Sequence, residues 1–278
     1  MHQNIEKQIA NEIEKTGFPL ELRISSLLKN QGFEVNHSVY YIDKDEGKGR
    51  EIDIVASRHR HRLKKDARWF VIHNLTIECK KSEKPWVIFS SLAGGDDDQN
   101  LFMVDSPYGM ELEAWNDESD WDVFDDIEKI HPMLKCKRQG RNYFVPFANF
   151  ENSETIFKAL TTSVKAAIAI KETKLSYSNE DRLCFSYPIV VLQGKLFEAY
   201  LENDDIKIQE IQMIPVNFRY ISANYAGEPF LVPIVTEDGF PELIKEFEVL
   251  LEYWINLVDN RPKLFVLPKK NFPPKNPK

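Results

Sequence analysis

The sequence predicts a mixed α/β domain, and three observations point there. Helix-period apolar stripes and strand-like runs follow one another in the order helix, three strands, helix, strand, then extras. Apolar residues make up 42% and charged residues 29% of the 278 residues, an ordinary globular balance with enough chain for a sizeable core. No run approaches the ~18–20 apolar residues of a transmembrane helix, so no membrane is expected as a partner. Three scattered cysteines, Cys79, Cys136 and Cys184, form no CxxC pair. They exclude a disulfide framework and a zinc site of the usual spacing, and are expected to be reduced and mostly buried. Met1 to Glu6 has neither a basic n-region nor an apolar h-region, so no signal peptide is expected and the expected location is cytoplasmic.

The elements can be justified in order. Ile5, Ile9 and Ile13 repeat every four residues and predict a short helix. Pro19 suits the first turn of a second helix, Leu20, Ile24, Leu27 and Leu28 form its stripe, and Gly32 ends it. Phe33 to Ile42 reads as a strand, and residues 43–49 carry turn chemistry. Glu51 to Ala56 and Trp69 to Lys80 are the second and third strands, joined by a basic loop. Residues 94–128 read as loops with one short helix around Trp121 to Ile130. Tyr143 to Phe147 is a strand or an extended link. A helix starts at Ser153, with Ile156, Leu160, Val164 and Ala167 on one face. Leu183 to Leu192 is a strongly apolar strand, with Gln193-Gly194-Lys195 as a hairpin turn into Leu196 to Leu201. Ile206 to Ile214 and Phe218 to Ile221 are further strands. The last helix runs from about Pro241 to Val258.

The formal charge of −8 argues at first against a nucleic-acid partner. The acids, however, are concentrated. Residues 96–128 hold 13 Asp or Glu and no Lys or Arg, which leaves +5 on the rest of the chain. Residues 58–68 are rich in Arg, His and Lys, and Arg261 to Lys278 has six basic residues, five prolines and no acid. A basic body with one acidic insertion suits a phosphate-backbone ligand, whereas each charge run alone can equally be a solvated loop. The acidic segment could shield a cleft as a nucleic-acid mimic or dock a basic partner.

Two strand segments carry the chemistry: Arg50-Glu51-Ile52-Asp53-Ile54-Val55-Ala56 and Leu75-Thr76-Ile77-Glu78-Cys79-Lys80-Lys81. Strand side chains alternate, so Ile52 and Ile54 are expected on one face and Asp53 on the other. Glu78 and Lys80 share the face opposite Leu75, Ile77 and Cys79. If the strands are neighbours, Asp53, Glu78 and Lys80 converge. Mg²⁺ or Mn²⁺ takes hard oxygen ligands, which Asp53, Glu78 and the Cys79 backbone carbonyl supply. Such an ion polarises a phosphate and acidifies a bound water. Lys80, beside two carboxylates, stays protonated and can orient that water. Glu21 borders the apolar stripe of the second helix, where a carboxylate is unfavourable unless paired or near a metal.

These residues resemble the PD-(D/E)xK nuclease superfamily, the restriction endonuclease-like fold. The resemblance covers roughly residues 17–90 and, more loosely, 153–202. Its parts are the helix with Glu21, the Glu-Ile-Asp-Ile-Val strand with Asp53, and Ile-Glu-Cys-Lys-Lys with Glu78 and Lys80. It implies a mixed central sheet flanked by helices, and metal-dependent phosphodiester cleavage of DNA, less often RNA. It also implies a possible place in bacterial defence, such as anti-phage defence, or repair, and action as a homodimer or with an activating partner. Ile52 stands where the signature has proline. Lys165 is the candidate for a second-helix residue that reaches the site. Arg58, Arg60, Arg62, Lys64, Lys65, Lys81 and Lys165 are the candidate nucleic-acid contacts; Glu51 and Lys81 have the opposite strand parity to the site residues and are assigned structural or substrate-backbone roles. The core would span 1–202 with an acidic insertion at 94–150, residues 203–260 would extend it with strands and a helix, and 261–278 would be a Pro/Lys-rich tail. Alone, an E-x-K triplet is more often a cross-strand salt bridge. The rival to an enzyme is therefore a catalytically inactive nuclease-fold subunit that binds nucleic acid or protein.

Overall fold

The structure, a computed structural model, describes residues 2–64, 67–93, 121–147, 154–175 and 181–260. Its elements are α1 (His2–Glu14), α2 (Phe18–Asn30), β1 (Glu34–Asp43), β2 (Lys48–Lys64), β3 (Ala67–Lys81), β4 (Trp86–Leu92), α3 (Trp121–Ile130), β5 (Arg138–Phe144), α4 (Glu154–Leu175), β6 (Asp181–Gln193), β7 (Leu196–Glu202), β8 (Asp205–Glu210), β9 (Met213–Ile221), β10 (Ala226–Thr236) and α5 (Phe240–Asn260). The class is α/β: one large mixed sheet flanked by helices, in the order β1-β2-β3-β6-β10-β9-β5-β4-β7-β8. Among the described residues, no helix is long and apolar enough to cross a membrane.

The local signals explain the first elements. Pro19 sits in the first turn of α2, and Gly32, at φ +80°, provides the left-handed residue that ends it. β1, β2 and β3 form an antiparallel meander, and β6 then lies parallel to β3 along its full length, from Trp69 beside Asp181 to Lys81 beside Gln193. The basic stretch is not a loop. It runs on as strand, with Arg58 opposite His73 and Lys64 opposite Ala67. Main-chain pairing to β3 holds this ribbon extended despite its charge.

Both faces of the central strands are buried, which is why β6 is apolar at nearly every position. Phe185, Tyr187, Ile189 and Val191 face α2, α3 and α5, together with Leu75, Ile77 and Cys79 of β3. Val190 and Leu192 face α4 and the strands β4, β9 and β10. Cys79 and Cys184 are buried and Cys136 is half-buried, and none of the three is joined in a disulfide. Trp86 is buried as a core anchor.

Gln193-Gly194-Lys195 does not make a hairpin, because β6 and β7 are not neighbours. Instead β3 and β6 turn the same corner side by side and continue as the parallel pair β4 and β7. Ser82 N–H to Gln193 O at 3.0 Å and Trp86 N–H to Lys195 O at 2.9 Å tie the two corners together. Gly194 makes this possible, since a Cβ there would stand 2.6 Å from the Ser82 carbonyl oxygen. The run 206–214 is not one strand but splits into β8 and the start of β9. β10, unexpected from the sequence, joins β6 only from Ile234 onward, just past Pro233, which has no N–H to give. The curled half of the sheet closes where β5 meets β9 at Gly140 and Val216.

A Cβ on Gly140 would lie 2.5 Å from Ile88 Cγ2 and 3.0 Å from Val216 Cγ2. Gly140→Ala should therefore cost about 1–3 kcal/mol by overpacking, read as a lower urea midpoint at unchanged slope. An unchanged midpoint would mean that β5 and β9 are not in close contact there.

Candidate active site

The site begins with a gap in the ladder. β2 pairs with β3 from Lys64 down to Ile54 opposite Ile77, and the register would continue with Asp53 opposite Glu78 and Ile52 opposite Cys79. Neither pair is made. The β1–β2 register is likewise interrupted where Ser38 would face Asp53, and Ser38 takes φ +49°, a region L-residues seldom adopt. The Cys79 N–H, left without a strand partner, donates to Asp53 Oδ2 at 2.7 Å. A side-chain carboxylate thus replaces a backbone carbonyl. The interruption also breaks the side-chain alternation. Ile52 and Val55 pack with Tyr41 and Ala166, while Ile54 and Ala56 pack on the opposite face. Ile52 and Ile54 therefore do not share a face, contrary to the simple period-two expectation.

On β3 the alternation is regular. Thr76 Oγ1 donates to the Ser163 carbonyl of α4 at 3.1 Å, so Thr76, Glu78 and Lys80 lie on the α4 face. Glu78 is only 6% exposed. Its Oε1 accepts a hydrogen bond from Lys80 Nζ, and its Oε2 is buried with no partner. Burial pushes the Glu78 carboxyl up to about 7; the Asp53 charge adds to this and the Lys80 charge opposes it. At Lys80 the balance is reversed. Burial works against its charge, but Glu78 and Asp53 outweigh burial and hold the ammonium above its ordinary value. Lys80 is therefore protonated. Asp53 is raised by burial, against the pull of the Cys79 N–H and Lys80. Glu21, in the first turn of α2, is raised by burial and then by Asp53 and Glu51.

The structure thus brings Asp53, Glu78, Lys80 and Glu21 into one electrostatic neighbourhood. Glu51 belongs there as well, since its charge acts on both Asp53 and Glu21. Strand parity alone assigned it elsewhere, and no signal in the sequence marks the interruption that brings it in. In an extended strand a residue's N–H and C=O point to the same side, so the Cys79 carbonyl opens toward the gap that its N–H faces.

Among the described residues, no three His, Cys, Asp or Glu side chains gather as a metal-binding group. Two carboxylates do not make a structural zinc site, but they match what Mg²⁺ takes from a protein, with water and phosphate completing the shell. The unpartnered Glu78 Oε2 is the atom that fits such a ligand: a buried carboxylate oxygen without a donor is costly unless a cation or ordered water meets it.

The candidate nucleic-acid contacts fare differently. Lys165 does not reach the site. It is buried, with Nζ at 2.9 Å from both Asp43 oxygens and from Asp45 Oδ2, and it lies over the rings of Tyr220 and Tyr225. It bridges α4 to the β1–β2 turn and is not available to a phosphate. Arg58 is largely covered, bonded to Glu248 and to the Gln31 carbonyl. Arg60 lies 3.4 Å from Glu252. Both are answered by acids one turn apart on α5. Lys81 is exposed and donates to the Glu14 carbonyl at 2.5 Å. The side chains of Arg62 and Lys64, and all of Lys65, lie outside the described residues. So do residues 94–120 of the acidic segment. The end of that segment is α3, which is anchored by Val123 and Ile127 in the main core. No family model, curated protein or solved structure matches the chain.

The raised Glu78 carboxyl sets a pH dependence. Between the ordinary value of 4.5 and about 7, the folded protein binds more protons than the unfolded chain. Stability then falls as pH rises through that window, by at most about 3 kcal/mol for this one group. The stability difference between wild type and Glu78→Gln, from urea melts in EDTA, should decline from pH 5 to pH 8. A flat difference would make Glu78 an ordinary carboxylate.

Proposed function

We propose that this protein is a metal-dependent nuclease that hydrolyses phosphodiester bonds, with DNA as the first candidate substrate. The observation that carries the proposal is the gap at Asp53, which sets that half-buried carboxylate and the buried Glu78 beside one protonated lysine, with Glu78 Oε2 unpartnered. The succession of α2, the β1–β2–β3 meander, α4 and a parallel β6 agrees with the resemblance to the PD-(D/E)xK superfamily. On this reading the chain has a restriction endonuclease-like core. The resemblance also suggests a defence or repair context.

Asp53, Glu78 and the Cys79 carbonyl would hold Mg²⁺ or Mn²⁺, which supplies polarisation of the scissile phosphate and an acidified water when bound. The chain's own groups do the rest. Asp53 is kept in place by the Cys79 N–H, so its free oxygen has a fixed direction. Lys80 keeps its proton, orients the attacking water and offsets the charge that builds on the phosphorus oxygens. Glu21 closes the α2 side, where it can accept a hydrogen bond from water. Glu78 must lose its proton before it can ligate, so metal affinity should rise with pH through about 7.

Two measurements test this. Plasmid, linear duplex, single-stranded DNA and RNA are offered with Mg²⁺ or Mn²⁺. Cleavage should fall by about 10²–10³ in Lys80→Ala and vanish in EDTA. Independently of turnover, millimolar Mg²⁺ should raise the melting midpoint of the wild type at pH 8 and leave Glu78→Gln unmoved. Nucleic-acid binding without cleavage, unaffected by Lys80→Ala, would instead assign the chain to an inactive nucleic-acid-binding role.

A further inference from the structure

The rim of the gap carries two exposed rings. On α2 the core is met by Leu20, Ile24 and Leu28. At about 100° per residue, Glu21 borders that stripe on one flank, and Phe18 follows about 60° further out on the same flank. Arg23 is on the other flank, bonded to Glu237. Phe18 is 63% exposed, so its ring stands in solvent just outside Glu21. The second ring is Phe147, which is 86% exposed and takes φ +60°, a left-handed conformation that a bulky L-residue adopts only where its surroundings impose it. Lys84 donates from Nζ to the Phe147 carbonyl. Lys84 follows Lys80 by four residues, at most about 14 Å along the chain, so Phe147 is held beside the corner that β3 turns after the site. α2 covers one face of β3, whereas Val145, two residues before Phe147, packs with α4 on the other. The two rings therefore flank Lys80 from opposite sides.

A cation sits with each ring. Lys81 donates to the carbonyl of Glu14, four residues before Phe18, and Lys84 to that of Phe147. Both bonds go to main chain, and among the described residues no carboxylate pairs with either ammonium. The basic ribbon differs, because Glu248 and Glu252 neutralise Arg58 and Arg60. Lys165 is likewise neutralised, by Asp43 and Asp45. Of the candidate contacts whose side chains are described, Lys81 thus keeps its charge unanswered, and Lys84 joins it at the same corner. Such a narrow pair of cations suits one phosphate backbone rather than two.

We propose that the site takes a single strand of nucleic acid, an end or an unpaired stretch, with bases stacked on Phe18 and Phe147 and phosphates beside Lys81 and Lys84. The inference rests on the metal-dependent nuclease reading and names its substrate class. An aromatic ring accepts any base, but only a base released from pairing presents a face to stack on it. A continuous duplex keeps those faces covered and would leave both rings in water. The two cations favour a polyanion over an apolar protein partner at the same rings.

Fluorescence anisotropy with the full chain is the test. Labelled single-stranded DNA, single-stranded RNA and duplex DNA of one length are offered with millimolar Ca²⁺ as the cation. One or both single strands should bind at least about 10-fold more tightly than the duplex. Phe18→Ala and Phe147→Gly should each weaken single-strand binding by about 5–100-fold and leave duplex binding within about 2-fold. Both positions are exposed, and glycine suits the left-handed backbone, so the variants should keep the wild-type far-UV spectrum. Lys81→Ala and Lys84→Ala should each reduce the slope of log affinity against log salt by about 0.7, and Arg60→Ala should leave it unchanged. Duplex binding as tight as that of either single strand overturns the proposal, and so does single-strand binding indifferent to the loss of both rings. Nucleic-acid binding persists in those two outcomes, so they leave the nuclease reading standing. Binding of neither form would overturn both.

Discussion

The site depends on one hydrogen bond, from the Cys79 N–H to Asp53 Oδ2. A sheet interior does not tolerate an unpaired backbone donor, so when β2 leaves β3 something must accept that N–H. The Asp53 carboxylate does so. The same contact holds Asp53 beside Glu78 and Lys80, keeps the ladder open and turns the side chain of Ile52 to the other face. Removing the carboxylate would leave a buried N–H without an acceptor, and β2 would have a reason to close onto β3. Fold and site are therefore coupled here: the acid that chemistry would use also completes the backbone's hydrogen bonding.

The rest of the architecture makes that opening rigid. β3 is parallel-paired with β6 along its whole length, and both strands pass the same corner together. Their faces are covered by α2, α3 and α5 on one side and by α4 on the other. Lys165 adds a second fixed point. It joins α4 to Asp43 and Asp45 at the end of the β1–β2 hairpin, while Tyr220 at the end of β9 and Ser222 in the turn that follows it bond Asp45. Burial works against the Lys165 charge, but Asp43, Asp45 and Tyr220 outweigh it and hold the ammonium above its ordinary value. The hairpin that carries Asp53 is thus fastened at its far end by a satisfied ionic network. Such a network fixes position more than it adds stability.

What could be read in advance was local. Pro19 and Gly32 mark α2, and the alternation on β3 sets Glu78 and Lys80 on one face without knowledge of any neighbour. What could not be read depends on contacts distant in sequence. Asp53 looks like any residue of an alternating strand, and only the missing partner at Cys79 shows that the alternation breaks there. Gly194 reads as a hairpin turn because a glycine needed for closeness to Ser82 looks the same as one needed for a turn. Pro229 and Pro233 hide β10, since their lost donors matter only on sides where no partner asks for them. The basic ribbon reads as a loop because its partners, Glu248 and Glu252, lie about 190 residues away on α5.

The same ion pairs change how the charge pattern should be weighed. Arg58, Arg60 and Lys165 looked like groups for a polyanion, but each is answered by acids of the chain itself. Near the gap the balance is acidic: Glu21, Glu51, Asp53 and Glu78 stand against the Lys80 ammonium. A phosphodiester approaching those carboxylates would meet repulsion of like charge, unscreened wherever the groups are buried. Protonation of Glu78 relieves part of it below about pH 7. Above that pH, relief has to come from a bound cation. The proposed nuclease is metal-dependent for that reason: a divalent ion held by Asp53 and Glu78 would reverse the local sign and let a phosphate settle beside Lys80.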